Sequence, residues 1–416
     1  MSLSSLPGSV ASPPTMQVET NGINVIPEDE RHGTPRSLFW PWATSSISLF
    51  NVSIAALLTA FGMDFIPTAV AAALGIIASF FLVGQISLAG KRASAPTMVI
   101  SRTAFGMRGN AVPTFISYLT LIGWEIITVV TTVMAANTVF ARLGWAHGGA
   151  VEAVVFFIII VVALTIGNVN WSALGRVDGF TPAGFIGTLV VAAAAFGIGW
   201  TNSGADYSRY LPRGSSGKAI VAWTTFAGSL MPIVLVVYGL MLVTSDPGLI
   251  GELGDNPIGT LVSLLPTSAL ILLPFLLVMS LGTTGSGAMD LYSSGLTLLT
   301  LGLRVPRAGV FIADATCRRD DYSSADLFNV RGRYGLVGWP ALGSMIVGTL
   351  VGWGLVTSDT SATLLAWQGF IFDLPGVAPE STWRDSDLRV IAALVIGFVG
   401  TWALGRARVR RQEAAV

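Results

Sequence analysis

The chain is poor in the residues that build disulfides, metal centres and acid–base machinery. Cys317 is its single cysteine, which removes any disulfide framework and any thiolate zinc site. His32 and His147 stand far apart and in no metal-binding spacing. Lysine occurs only at 91 and 218, so positive charge is nearly all arginine. Lys+Arg and Asp+Glu both number 23, which leaves no net charge to attract nucleic acid or an acidic partner. No set of catalytic-type residues recurs along facing elements, which argues against an enzyme and against a cofactor. What the chain does have is apolar length. Hydrophobic residues make up 52% of it against 11% charged, mean hydropathy is +0.70, and apolar runs beyond about 18 residues recur. This composition is that of an all-α polytopic membrane protein whose principal partner is the lipid bilayer.

Residues 1–36 are rich in Ser, Pro, Thr and Gly and lack the basic start and apolar centre of a cleaved signal, so they read as a cytoplasmic tail, partly disordered. A transmembrane domain follows over 37–405, and the RARVRR run opens a cytoplasmic C-terminal tail over 406–416. Trp40 and Trp42 read as interfacial anchors. The expected spans cover about 44–62, 65–89, 111–141, 150–167, 181–195, 219–243, 336–356 and 388–404, with a further element over 267–303 too long for one straight crossing. Lys91, Arg92, Arg102 and Arg108 in one short connection, and Arg209, Arg213 and Lys218 in another, mark the cytoplasmic side. The acidic stretch 244–257 belongs outside. These markers conflict with the span count. Four spans return the chain to the cytoplasm near Asn168, yet the span over 181–195 must also end there, so residues 168–178 are expected outside, after a segment that crosses incompletely.

Candidate functional residues sit where an apolar span holds something it should not. In FGIGWTNSGADYSRYLP, residues 196–212, Gly197 and Gly199 weaken a helix by about 1 kcal/mol each against alanine. Two readings stay open: close helix packing, or a discontinuous helix whose freed backbone groups meet a solute in mid-membrane. Trp124 lies mid-span with Thr128, Thr131 and Thr132 on the same helical face, and beside it Glu125 is an acid costing at least about 2.5 kcal/mol unless paired or hydrated. Asp290 is a second intramembrane acid. Thr283, Thr284 and Ser286 offer the oxygens a hard cation prefers. The polar line Ser45, Ser46, Ser48, Asn51 and Ser53 faces inward, where hydroxyls more often join helices than bind ligands.

Three stretches carry a family resemblance: GWTNSGADYSRYLPR over 199–213, GKRASAPTMVISRTAFGMRGN over 90–110, and VETNGINVIPEDERHGTPRSLFWPW over 18–42. Together they resemble the purine–cytosine permease family of nucleobase:cation symporters. The resemblance implies a LeuT-like fold of two inverted five-helix repeats plus two further helices. It implies a secondary transporter in the inner membrane, with both termini cytoplasmic, that imports a nucleobase or similar planar heterocycle with Na⁺ or H⁺. On that basis Trp124, Thr128, Phe196, Gly197, Gly199, Trp200 and Asp290 belong to the substrate site, with Trp124 stacking on the ring. Ser46, Ser48, Glu125, Thr283, Thr284 and Ser286 belong to cation or proton coupling, and no metal beyond Na⁺ is implied. The chain also departs from the family. About one helix is missing before residue 181 and about two after residue 307, Ser46 replaces an asparagine, and Gly287, Ala288, Met289 and Asp290 stand where cytosine permeases have asparagines. An incomplete fold of this kind allows the alternative of a transport-deficient remnant or membrane-embedded binding protein.

Overall fold

The computed structural model describes residues 21–46, 50–124, 179–265, 331–355, 368–378, 381–385 and 388–414. Shorter pieces at 48, 174, 268, 272–273, 286–287, 289–290, 292–294, 296–297, 314, 316–318, 321–323 and 325–329 are described as well. The first expected span divides into two helices, α1 (Phe39–Ser45) and α2 (Phe50–Thr59). Next comes α3 (Phe65–Ala93), about 43 Å at 1.5 Å per residue, long enough to cross about 30 Å of hydrocarbon and project beyond it. Ile66, Val70, Leu74, Ile77 and Phe81 form an exposed apolar stripe along it, a surface suited to lipid. The opposite face is buried and rich in small residues, among them Ala72, Gly75, Ser79 and Gly84. Because lipid is as apolar as leucine, close approach over small residues is what holds membrane helices together, and α3 uses that face twice. It packs on α7 (Pro182–Ala193) and on α8 (Gly217–Ser245). Between them the chain forms the short α4 (Thr97–Ile100) and α5 (Arg102–Phe105), then α6 (Ala111–Trp124). Among the described residues α3, α8 and the last helix are long and apolar enough to span a membrane by themselves.

α7 starts where Pro182 sits at the first turn and Thr181 caps it, its hydroxyl accepting from Gly184 N at 3.1 Å. It runs parallel to α3. At one end Gly179 N donates to Asp64 Oδ2 at 2.7 Å; at the other Ser208 Oγ donates to Ser87 O at 2.6 Å. α8 then returns antiparallel, with Gly217 against Leu88 and Gly228 against Phe80. The span count conflicts with the charge pattern, and this geometry decides between them. The chain leaves α3 at the end carrying Lys91 and re-enters at the opposite end, so the stretch between joins the two ends. The expected fourth span, residues 150–167, and all of 168–178 except Leu174 lie outside the described residues.

At the basic end the connection 90–110 folds inward: residues 93–106 are buried throughout. Asp206 Oδ1 accepts from both Thr97 N (2.8 Å) and Thr97 Oγ1 (2.9 Å), and Thr97 Oγ1 accepts from Ala205 N (3.0 Å). Ser101 Oγ donates to Asn110 Oδ1 at 2.6 Å, and Asn110 Nδ2 to Met98 O at 2.7 Å. Gly106 takes φ +78°, a left-handed conformation open to glycine, and lets the chain pass against 335–338, where Met107 N donates to Gly335 O at 2.9 Å. Arg102 donates to Leu327 O at 3.1 Å, and burial pushes its guanidinium pKa down to about 10.

Residues 21–38 lie as a strap over this end. Ile26 N donates to Ser94 O (2.9 Å), His32 N to Tyr210 O (2.8 Å), and Arg31 Nη2 to Lys91 O (2.6 Å) and to Ser94 Oγ. Ser94 ends α3 at φ +53°, uncommon for a residue with a Cβ, and these bonds hold it there. The expected interfacial pair of tryptophans separates: Trp40 is 71% exposed, as an anchor would be, whereas Trp42 is fully buried in the main core.

The acidic stretch after α8 contains α9 (Leu249–Asp255) and α10 (Pro257–Ser263). Downstream, α11 (Trp339–Gly354) packs on α14 (Leu388–Glu413), with α12 (Phe370–Asp373) and α13 (Thr382–Asp385) between. α14 continues through the basic run expected as a tail, and Arg408 on it donates to Ala104 O at 2.6 Å and to Tyr334 O.

Candidate functional site

Two helix interruptions face α3 from different sides. Between α1 and α2 the chain turns at Ser46, whose hydroxyl donates to Trp42 O at 2.8 Å. Ser45 Oγ reaches the same carbonyl at 3.1 Å, and Asn51 Nδ2 donates to Ser46 O at 3.0 Å. The serine run therefore supplies the backbone with partners where the helix stops, which is why hydroxyl residues favour helix ends over interiors. Ser45 and Ser46 are buried and Ser48 half-buried.

The second interruption follows α7, where residues Ala194–Ile198 widen into a π-helical turn before the chain descends in successive turns to Leu211. π-turns of this sort recur at functional sites. Its two glycines do different things. A Cβ on Gly197 would lie 2.4 Å from Ser79 Oγ and 2.6 Å from Phe80 N, so this glycine is needed for contact with α3. Its freed N–H donates to Ser79 Oγ at 3.1 Å. Among the described residues a Cβ on Gly199 would meet only Trp124 Nε1, at 3.8 Å. The close-packing reading therefore holds for Gly197, whereas Gly199 has no such packing partner among the described residues.

Aromatic rings connect the interruptions. Trp42 meets Trp200 edge-on at 5.9 Å between centroids and Tyr207 at 5.5 Å, and Tyr207 meets Tyr292 at 5.7 Å. Such edge-to-face pairs add about 0.5–1.5 kcal/mol each beyond burial. Trp42 Nε1 is a buried donor without a hydrogen-bond partner among the described residues. Phe196 is 7% exposed and Trp200 half-buried, while Trp124 is 37% exposed at the last described residue of α6. Trp124 is thus brought beside Gly199, while Trp200 meets Trp42 and Phe196 joins the main core.

Tyr207 Oη donates to Met289 O at 2.8 Å and lies 2.9 Å from Ser293 Oγ. Arg209, fully buried, donates to Tyr292 Oη (2.9 Å) and Gly22 O (2.7 Å). The segment holding Asp290, itself 3% exposed, is therefore tied to the stretch after the π-turn, with Ser286 half-buried on the same segment. Thr128, Glu125, Thr283 and Thr284 lie outside the described residues. Sequence reasoning missed Trp42, Ser79 and Tyr207. For Trp42 the signal was present in the serines at i+3 and i+4, which on a helix lie over its carbonyl.

Two solved structures share the fold. Mhp1, a nucleobase-cation-symport-1 family transporter, in a closed conformation with bromovinylhydantoin bound, matches at TM-score 0.62 with 16% identity, covering 96% of this chain and 100% of that one. The inward-facing conformation of Mhp1 matches at TM-score 0.55 with 17% identity over 96% of this chain and 98% of that one. The fold is accordingly that of a polytopic, LeuT-like membrane transporter. Residues 25–181 match the family described as permease for cytosine/purines, uracil, thiamine, allantoin. YxlA of Bacillus subtilis, assigned by name to the purine-cytosine permeases, is 25% identical over 58% of this chain and 58% of its own length. The purine-cytosine permease FCY21 of Saccharomyces cerevisiae is 25% identical over 68% of this chain and 60% of its own. The relatives the chain resembles are purine–cytosine permeases, and the part of it that carries the family pattern is residues 25–181. The chain spans under two thirds of the length of these curated relatives.

Proposed function

We propose that this protein is a secondary transporter that brings a nucleobase or related planar heterocycle into the cell in symport with a cation. The reading rests on one juxtaposition: an indole, Trp124, stands beside Gly199 at an interrupted helix in a membrane-spanning bundle. A flat ring needs a face to stack on and polar groups at its edge, and an interrupted helix offers unpaired backbone groups where lipid offers none. Mhp1 was crystallised with a hydantoin, a planar heterocycle of that description. Substrate contacts are assigned to Trp124, Thr128, Phe196, Gly197, Gly199, Trp200 and Asp290, and coupling to Ser46, Ser48, Glu125, Thr283, Thr284 and Ser286. Protons are favoured over sodium as the coupling ion, because two acids, Glu125 and Asp290, stand in apolar stretches and Ser46 replaces the asparagine of the family's usual cation-site pattern on the first helix.

A thermal-shift panel with cytosine, hypoxanthine, uracil and allantoin identifies the ligand, and uptake of that ligand in labelled form into cells tests transport. Trp124→Ala should weaken binding about 5- to 150-fold, the equivalent of about 1–3 kcal/mol of stacking. Unchanged affinity would remove Trp124 from the site. Uptake that follows a sodium gradient and ignores a protonophore would reverse the choice of ion. A second reading, binding without transport, is motivated by the family helices that the sequence lacks before residue 181 and after residue 307. Ligand-induced stabilisation with no uptake would select it.

For orientation, the strap, Lys91, Arg213 and Cys317 are placed in the cytoplasm, and Asp64 with Gly179 outside. In intact cells an impermeant maleimide should leave Cys317 unlabelled until the membrane is opened, whereas Phe180→Cys in a Cys317→Ser background should label at once. The opposite pattern would invert the assignment.

A further inference from the structure

We propose that the groove between α3 and α8 holds one anionic phospholipid of the leaflet at the basic end. It has a volume of about 740 Å³ and is lined on α3 by Ile77, Phe81 and Leu88 and on α8 by Val221, Ala222 and Phe226. Phe81 and Phe226 are about half exposed, so the groove opens outward, away from the interrupted helices. Its polarity is asymmetric. Gln85 and Lys218 line the end where Gly217 meets Leu88, and from there to Ile77 and Ile233 at the other end the lining is apolar apart from Thr225 and Ser229.

The dimensions fit a lipid rather than a solute. From Gly217 to Ile233 the α8 wall extends about 24 Å, and from Leu88 to Ile77 the α3 wall about 16 Å, so both walls reach through the roughly 15 Å depth of one hydrocarbon leaflet. An acyl chain laid along it from the basic end would be covered for its length, with the headgroup left at the mouth. There the charge is complementary. Lys218 is exposed and forms no ion pair among the described residues. α8 begins at the same point, so its first amides add positive potential toward a phosphate; the Ser216 cap engages Ala219 N. Gln85, one turn deeper, is placed at the level of the glycerol esters. Thr225 presents no free hydroxyl to the tail, since it donates to Val221 O at 2.8 Å.

The test is native mass spectrometry of the full chain in detergent with phosphatidylglycerol, phosphatidylcholine and diacylglycerol of identical chains, each with and without millimolar inorganic phosphate. One phosphatidylglycerol should be retained in preference to diacylglycerol. Lys218→Gln should reduce that retention about fivefold, the factor one lysine contributes at an anionic surface. Ala222→Trp, a substitution at an exposed groove position, should abolish retention of all three lipids while leaving thermal stability unchanged. Equal retention of phosphatidylglycerol and diacylglycerol, or no effect of Lys218→Gln, would overturn the proposal, as would displacement by inorganic phosphate. A dimer in light scattering that Ala222→Trp converts to monomer would assign the groove to a second copy of the chain instead. None of these outcomes depends on the transport reading, because the variants lie away from Trp124 and the π-turn.

Discussion

At the interruption between α1 and α2 the spare carbonyl of Trp42 takes the hydroxyls of Ser45 and Ser46, whereas at the π-turn the spare amide of Gly197 reaches across to Ser79 on α3. The first break is satisfied by its own side chains and is locally self-sufficient. The second depends on a neighbour, and its residues contribute by what they lack. A break of the first kind tolerates changes in its surroundings; a break of the second kind is coupled to the position of α3 and to whatever lies against Gly199. That coupling suits a site that must respond to a ligand.

The comparison breaks most visibly at the glycines. Gly197→Val would force atoms into the space of Ser79 Oγ and the Phe80 backbone, with costs beyond the about 1–3 kcal/mol usual for overpacking because backbone cannot yield as a side chain can. Loss of the monodisperse peak in fluorescence-detected size exclusion is expected. Gly199→Ala should keep that peak, since among the described residues its Cβ meets only Trp124 Nε1, at 3.8 Å, and should change ligand affinity instead. Equal behaviour of the two variants would contradict the division of roles.

Next in size is Arg209. Read from the sequence as a marker of sidedness, it is a buried tether joining the strap at Gly22 to Tyr292. Arg209→Ala removes at least these two bonds from a charged donor, each worth about 1.5–3 kcal/mol, and should lower stability by about 3 kcal/mol or more in a chemical-denaturation or thermal assay. A shift below about 1 kcal/mol would mean that the strap is held by its other bonds.

These cases show what the sequence made legible. Helix existence followed from apolar length, and α3 and α8 fall within four residues of their expected limits because nothing within them competes with the helix. The π-turn was legible through Gly197 and Gly199. The α1–α2 break was not, because serines in a membrane span have a common second use as glue between helices. Burial of 93–106 was hidden for a related reason: Lys91, Arg92, Arg102 and Arg108 describe charge, and charge marks a side of the membrane without saying what folds over it. Thr97, Ser101 and Asn110 hold that segment through contacts to residues more than a hundred positions away or to each other, which no local pattern records.

Ser79 and Ser46 test the comparison more finely. Ser79→Ala leaves the Gly197 amide without its partner in a buried place, which should cost about 1–2 kcal/mol. Ser46→Ala leaves Trp42 O still bonded by Ser45, so about 0.5 kcal/mol is expected. If the two cost the same, the first break is no more self-sufficient than the second.

The smallest effect lies at the exposed edge of the strap, where Glu28 pairs with Arg213 and Arg31, in contrast to the buried tether at Arg209. Its carboxyl pKa is held below the ordinary 4.5, first by the hydrogen bond from Arg213 and further by the charges of Arg31 and Arg213, against a modest opposing desolvation. A carboxylate whose folded pKa is depressed contributes stability that is present above its unfolded pKa and is lost as pH falls through the folded one. Wild type should therefore lose slightly more thermal stability than Glu28→Gln between about pH 5 and pH 3, with the two curves converging at the acid end. Because Glu28 and Arg213 are both exposed to solvent while the Arg31 side chain is buried, about 1 M salt should erase most of the difference and leave the share owed to Arg31. A gap that salt leaves whole, or one that widens as the pH rises above 6, would mean that the exposed pair with Arg213 is not what Glu28 contributes, and the contrast with Arg209 would fail.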